Sequence, residues 1–317
     1  MRANRKLVEW MRHYNADPAH PIKLRFYGFD SPTEMTRTDS PRQLLYFVLD
    51  YLASTGTDDR DRRRRIDAHL GHDADWENPE AMMDPAKSVG LSPAALALRI
   101  ETEDLLTELH LRRPELAVGG HEDRYWEVRY ASAARELLNY HAALARPSDP
   151  TRRIIEGLGI RDATMAENLA HVVSRERGRG KVLAFAHNSH LKLGRAEWQL
   201  GPHALAWWPA GAHLRAVLGL RYRVIGAGVG VSDANGIGRP EAGTLEARLI
   251  ASPGPARFVP THQGQGLPTA EIAALLPRSG STKNPTYFAL TPQSFTDFDW
   301  LVVLDSVAYN RGEPPLH

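Results

Sequence analysis

The chain has 317 residues, 39 Lys and Arg against 38 Asp and Glu, a formal net charge of +1, 42% hydrophobic residues and no cysteine. That balance is typical of a globular protein and gives no electrostatic reason to expect nucleic acid or an acidic membrane as partner. Without cysteine, disulfide frameworks, thiolate zinc sites and cysteine nucleophiles are all excluded, leaving chemistry to His, Asp, Glu, Ser, Arg or a bound ion. The amino terminus alternates charged and apolar residues at helical spacing, with no apolar core of signal-peptide length, and no run reaches the roughly 20 apolar residues of a membrane span. The expected address is the cytoplasm.

Leu7, Trp10, Met11 and Tyr14 form a helical stripe over residues 3–15 that Asp17-Pro18 ends. Lys23 to Asp30 alternates polar and apolar residues and runs into Ser31-Pro32, which predicts a strand followed by a turn. Residues 41–145 read as mostly helical, from the stripes Leu44-Leu45-Val48-Leu52, Leu96-Ile100-Leu105-Leu109 and Trp126-Tyr130-Ala134-Leu138. Gly119-Gly120 and the turns at Asn78-Pro79 and Asp84-Pro85 separate these helices. The charge run Asp58 to Arg65 mixes signs and has no interleaved aromatic residues, so a solvated helix face is expected there.

From about residue 150 short strands alternate with helices. Helices are expected over 162–173 and 211–218, and strands over 181–187, 222–231, 258–261, 287–291 and 300–305. That alternation predicts an α/β fold: a mostly parallel or mixed sheet flanked by helices, with a large helical excursion between the first strand and the later ones. No linker forces a boundary, so residues 1–317 are expected to form one domain.

Several motifs invite a chemical reading and fail on context. Gly226, Gly228 and Gly230 lack dinucleotide-fingerprint spacing, and a turn-rich loop follows where a phosphate-binding helix should start, so they read as glycines in a crowded strand. Ser232 lacks the final glycine and the helix of a nucleophile elbow. His121-Glu122 has no second His at i+4, and its acidic residues suit a helix start; His69-Leu-Gly-His72 reads as a surface loop. Most of Tyr125, Trp126, Trp207 and Trp208 are expected in the core.

The segment Lys181 to His190 carries more. Val182 to Ala186 reads as a strand buried on both faces, which puts His187, Asn188 and His190 at its carboxyl end, the edge where ligands bind in open α/β sheets. Histidine suits proton transfer near neutral pH. Asp30 ends the earlier strand, so the two strand ends share a crevice if the strands are parallel neighbours; the alternative is that Asp30 caps its own turn with Ser31. Arg161, Met165 and Asn168 stand at i, i+4 and i+7, a helical face able to meet ester oxygens or, equally, an exposed helix start capped by Asp162.

Phe26-Tyr-Gly-Phe-Asp30, Arg161-Asp-x-x-Met-Ala-x-Asn168, Ala186-His-Asn-Ser-His190 and Phe295-Thr-Asp-Phe-Asp299 with the strand after it, in that order, resemble the erythromycin esterase family. The resemblance implies an α/β core with a helical excursion and hydrolysis of a carboxylic ester, in the best-known members a macrolactone, hence antibiotic resistance. It implies His187 and His190 as the catalytic pair, with Asp30, Arg161, Met165, Asn168 and Asn188 binding or orienting substrate. The partner is then a small-molecule ester or macrolide, not nucleic acid or membrane, and no cofactor is required. A divalent metal on His187, His190 and Asp30 is the alternative, and a non-catalytic protein that sequesters a macrolide is another.

One departure stands out. Family members carry near their start a segment rich in Gly, Glu and His that supplies the principal base, and it is not found here. On that comparison Met1 falls inside the usual domain, which implies an N-terminally incomplete chain, a fragment or a shortened protein, inactive or nearly so. Missing central strands would expose a sheet edge and apolar surface.

Overall fold

The computed structural model describes residues 2–34, 37–57, 59–118, 126–251, 254–265, 269–281, 283–284 and 286–307. The Gly119-Gly120 break, the His121 to Tyr125 segment and Asp58 lie outside these residues. In chain order the elements are α1 (Arg2–Ala16), β1 (Thr33–Glu34), β2 (Arg37–Thr38), α2 (Arg42–Ser54), α3 (Arg60–Leu70), α4 (Asp73–Trp76), α5 (Pro93–Leu111), α6 (Arg113–Val118), α7 (Trp126–Ala145) and α8 (Pro150–Arg175). There follow α9 (Asn188–Leu191), β3 (Ala196–Leu200), β4 (His203–Trp207), α10 (Ala210–Leu218), β5 (Ile225–Val231), α11 (Leu245–Ile250), β6 (Ala256–Pro260), α12 (Thr269–Ala273), α13 (Ser294–Asp297) and β7 (Trp300–Ser306). The chain divides into two compact units, one made of residues 29–175 and 195–213, the other of residues 1–28, 176–194 and 214–317.

The first unit is helical because its apolar residues recur at helical spacing and meet across helix faces. Leu45, Val48, Leu49 and Leu52 of α2 pack with Ile66 and Leu70 of α3, Leu98, Leu105 and Leu109 of α5, and Ala131, Ala134 and Leu138 of α7. The stripe expected along α5 lies partly off the core. Ala95, Leu98 and Thr102 face inward while Leu96 and Ile100 are exposed, because small and hydroxyl side chains let the neighbouring helices approach. The charge run behaves as expected: on α3, Arg62 pairs with Glu108 at 2.7 Å and Arg65 with Glu101 at 2.6 Å.

α8 begins twelve residues before the expected start at 162. Gly157 and Gly159 lower the helical signal, but Gly157 sits 3.3 Å (ideal Cβ) from the Tyr140 hydroxyl, where a larger side chain would crowd α7. Asp162 is therefore buried mid-helix and caps no start of its own. Its carboxylate accepts from Trp207 Nε1 at 2.5 Å and from the Ala210 N–H, the first of α10, at 3.0 Å. Buried Arg153 donates to the carbonyls of Leu144 and Arg146, closing the C-terminus of α7 with a cation where the helix dipole favours one. The hairpin β3–β4, register Ala196↔Trp207 to Leu200↔His203, lays Ala196, Leu205 and Trp207 against Ile154 and Leu158.

The second unit holds a mixed three-stranded sheet of order β5-β7-β6, with β5 parallel and β6 antiparallel to β7. Its core is Val224, Leu245, Leu275, Leu290, Phe295, Phe298, Leu301 and Val303. The glycines of β5 answer to crowding. A Cβ at Gly226 would lie 2.7 Å from the Phe298 ring, at Gly228 2.9 Å from Leu290, and at Gly230 2.2 Å from the Asp305 carbonyl. The edge of β5 away from β7 is met by side chains: Asn188 binds Ala227, and Arg278 donates to the carbonyls of Val229 and Gly230.

Three expected strands form no ladder. Residues 23–30, 181–187 and 287–291 lie outside every paired strand among the described residues. Alternation and β-branching report what a backbone prefers, but a ladder needs a neighbour, and no described strand supplies one. Burial on both faces is absent as well, since Leu183 is 94% and Phe185 91% exposed. Side-chain amides stand in for missing ladder bonds. The Asn15 amide donates to the Leu24 carbonyl at 2.8 Å and accepts its N–H at 2.7 Å, and Arg179 donates to the Lys23 carbonyl at 3.0 Å.

Candidate functional site

In the first unit, α8 presents Arg161, Met165 and Asn168 as the i, i+4, i+7 spacing requires. Arg161 grips Asp30 with both arms, Nε to Oδ1 at 3.0 Å and Nη2 to Oδ2 at 2.6 Å. That fork geometry fixes a planar cation against a planar anion, and the bond to Asp30 raises the Arg161 pKa against the opposing effect of burial. Asp30 also accepts the Ser31 N–H at 2.8 Å, so it caps its turn as well as holding Arg161. Asn168 is committed on both sides. It donates to the Phe29 carbonyl at 3.0 Å and accepts from Arg129 Nε at 2.6 Å. Met165 is buried.

Around that face lies a set of charges not picked out from the sequence. Arg129 of α7 also pairs with Glu136, and lies 3.5 Å from Glu167 of α8. Burial raises the Glu136 pKa to about 7, with Arg129 opposing and Glu167 adding to the rise. Burial, helped by Arg175 and Arg129, lowers the His171 pKa to about 4.

In the second unit, the turn after residue 186 holds His187, Asn188 and His190. Its shape follows from local capping, as His187 Nδ1 accepts the Ser189 N–H at 3.2 Å at the start of α9 and the His190 N–H returns to the His187 carbonyl at 3.0 Å. His187 Nε2 lies 2.9 Å from the Thr286 carbonyl, which can only accept, so the proton sits on Nε2 and the lone pair on Nδ1. Burial lowers the His187 pKa; the Thr286 carbonyl opposes that shift and His190 adds to it. The ring is thus held neutral in one tautomer, edge-on to His190 at 6.5 Å and to Phe288 at 6.1 Å between centroids.

Asn188 locks the turn onto the sheet. Its Nδ2 donates to the Ala227 carbonyl at 2.7 Å and its Oδ1 accepts the Ala227 N–H at 3.0 Å. The Tyr222 hydroxyl donates to the Leu191 carbonyl at 2.7 Å just beyond.

A metal on this turn does not suit the donors present. Both ring nitrogens of His187 are engaged, one as donor and one as acceptor, which leaves no lone pair for an ion. Within each unit, the described residues hold no group of three His, Asp or Glu able to bind one.

The sequence matches the erythromycin esterase family over residues 1–307. The chain belongs to that family. Solved structures agree on the fold. A Bacillus cereus protein has 18% identity and a TM-score of 0.63, covering 96% of this chain and 71% of its own. A succinoglycan biosynthesis protein has 17% identity and a TM-score of 0.61, with coverages of 96% and 70%. A histidine-to-asparagine mutant of the erythromycin esterase EreC, in its open conformation, has 18% identity and a TM-score of 0.59, with coverages of 95% and 72%. No curated protein matches the chain.

In this erythromycin esterase family member the histidine turn is held by local, specific contacts. Thr286 and Phe288 carried no signal in the sequence, because they come from an irregular segment that the alternation of residues 287–291 disguised as a strand. Asp299 was visible within the closing motif. Although burial opposes it, the Val224 N–H and the guanidiniums of Arg223 and Arg215 hold its pKa below the usual carboxylate range. It anchors the entry to β7.

Proposed function

We propose that this chain is an esterase-like hydrolase of the erythromycin esterase family, acting on a small-molecule carboxylic ester, macrolactones included, by histidine-assisted attack of water. The observation that carries the reading is the His187–His190 turn: the His187 ring is held by backbone groups, Asn188 ties the turn to the sheet, and His190 stands 6.5 Å from His187 between ring centroids, in a chain of this family. No helix of the described residues is long and apolar enough to cross a membrane.

In this reading His190 takes the proton from water as the water oxygen adds to the ester carbonyl. The tetrahedral intermediate then collapses, the alkoxide leaves with a proton, and one ester and one water become one acid and one alcohol. His187 is a positioning residue, because both of its nitrogens are already bonded. Asn188 acts through Ala227 and not on substrate. Asp30, Arg161, Met165 and Asn168 are proposed as substrate-orienting residues on the face of α8, where Arg161 keeps donors beyond the two spent on Asp30.

The test incubates the chain with a macrolactone and with a simple aryl ester, with and without a chelator, and looks by mass spectrometry for a product heavier by one water. Ring-opened or cleaved product that is lost in His190→Ala and indifferent to the chelator is the expected result. Tight binding of the macrolactone with no product would replace the hydrolase with a sequestering protein. Product that disappears with chelator would replace the histidine mechanism with a metal-dependent one.

A further inference from the structure

Behind the histidine turn lies a buried ion pair that the proposed chemistry does not use. Asp297, at the end of α13, is buried, and its Oδ2 meets Lys192 Nζ at 2.7 Å. Its Oδ1 accepts the Gly194 N–H at 3.0 Å and the Gln293 side-chain amide at 3.3 Å, and its backbone carbonyl accepts the Leu193 N–H at 2.9 Å. Three consecutive residues that start two positions after His190 are thus tied to one aspartate.

The fit is close. A Cβ on Gly194 would lie 2.2 Å from Asp297 Oδ1, so any larger residue there must displace that carboxylate. The Lys192 N–H closes α9 on the Asn188 carbonyl at 3.0 Å, while its ammonium lies 5.9 Å from the Phe288 ring centre. Phe288 in turn stands edge-on to His187 and, at 6.0 Å, to Phe298. The charge of Lys192 therefore bears on the turn through the backbone on one side and through an aromatic contact on the other.

We propose that the buried Lys192–Asp297 pair sets the conformation of the His187–His190 turn, which makes Lys192 and Asp297 positioning residues for the histidine pair. A buried pair with one partner removed leaves a charge without its counter-ion, so either substitution perturbs the segment it holds. The consequence for turnover rests on the hydrolase reading above; the consequence for the histidine does not.

Lys192→Met, Asp297→Asn and Lys192→Arg test this, with the imidazole N–H resonance of His187 as the readout. That proton is held by the Thr286 carbonyl, and its NMR signal needs no substrate. In Lys192→Met and Asp297→Asn the signal is expected to shift and exchange rapidly with water at temperatures below unfolding. Where ester turnover is measurable, kcat falls by on the order of 100-fold with KM little changed, and Lys192→Arg restores both signal and rate in large part. A merely structural pair would lower Tm and leave the signal of the folded protein as it was. Should Asp297→Asn fail to fold, Lys192→Gln, which keeps a hydrogen bond to Asp297 without the charge, carries the same test. An unchanged His187 signal in the folded Lys192 variants overturns the proposal, whether or not the wild-type chain hydrolyses any ester.

Discussion

Asn188→Ala should release the histidine turn from the sheet by a calculable amount. The side chain makes two hydrogen bonds to one residue of β5, at 2.7 and 3.0 Å, both to Ala227. At roughly 1 kcal/mol net per bond the pair holds the turn by about 2 kcal/mol, which corresponds to roughly thirtyfold in the equilibrium for local opening. Amide hydrogen exchange reads this at one site, since the Ala227 N–H loses its acceptor: its protection should fall by about that factor while that of Val303, in β7, stays as it was. Asn188→Asp is the sharper probe. Its carboxylate keeps the bond from the Ala227 N–H but sets an oxygen against the Ala227 carbonyl, so the loss should match or exceed that of alanine. Wild-type protection of Ala227 in both variants would refute the idea that this amide substitutes for a strand.

Stability should fall on acidification through His141. Burial lowers its pKa to about 4, against the bond to the Asp39 carbonyl, so the unfolded chain binds the proton first as pH falls below about 6.5 and the loss is complete near pH 4. The shift corresponds to about 3 kcal/mol in all; urea unfolding should show about 2 kcal/mol lost between pH 7 and pH 5 in wild type, and distinctly less in His141→Gln. Parallel losses in the two proteins would remove His141 from the acid response. Leu183→Thr with Phe185→Thr should reduce self-association seen by light scattering, because both side chains are almost fully exposed on an unpaired extended segment. Unchanged scattering would mean the segment is not what drives association.

How much of this was legible in the sequence varies with what each signal encodes. The glycines of β5 were readable as crowding, because Gly226, Gly228 and Gly230 failed every motif that would have given them chemistry, and the contacts to Phe298, Leu290 and Asp305 bear that out. The long helices α2, α5 and α7 were readable from periodicity and turn signals, although on α5 the expected stripe chose Leu96 and Ile100, which are exposed. The hairpin β3–β4 went unread although Leu205 and Trp207 alternate inward across the Gly201-Pro202 turn, since short strands leave only a few residues of evidence.

The candidate site divides along the same line. Spacing was enough to place Arg161, Met165 and Asn168 on one face of α8, but not to say that Asp30 spends its carboxylate on Arg161: the shared crevice with His187 required two paired parallel strands, and neither segment forms a ladder. Spacing could not say that Asn168 and Asn188 spend their amides on backbone groups, nor that Thr286 fixes the tautomer of His187, because those partners are distant in the chain and carry no pattern. The apolar run before His187 encoded extended backbone and said nothing of a neighbour to pair with. Lys192 and Asp297 were each on view beside a motif, but what joins them is tertiary contact.

The most direct test of the account compares kcat and KM for one hydrolysed ester in wild type, His190→Ala and His187→Ala, all verified as folded. Removal of a general base is expected to lower kcat by roughly 100- to 10,000-fold in His190→Ala with KM close to wild type, and His187→Ala should lose less. Wild-type turnover by His190→Ala would contradict the claim that this histidine turn carries the chemistry.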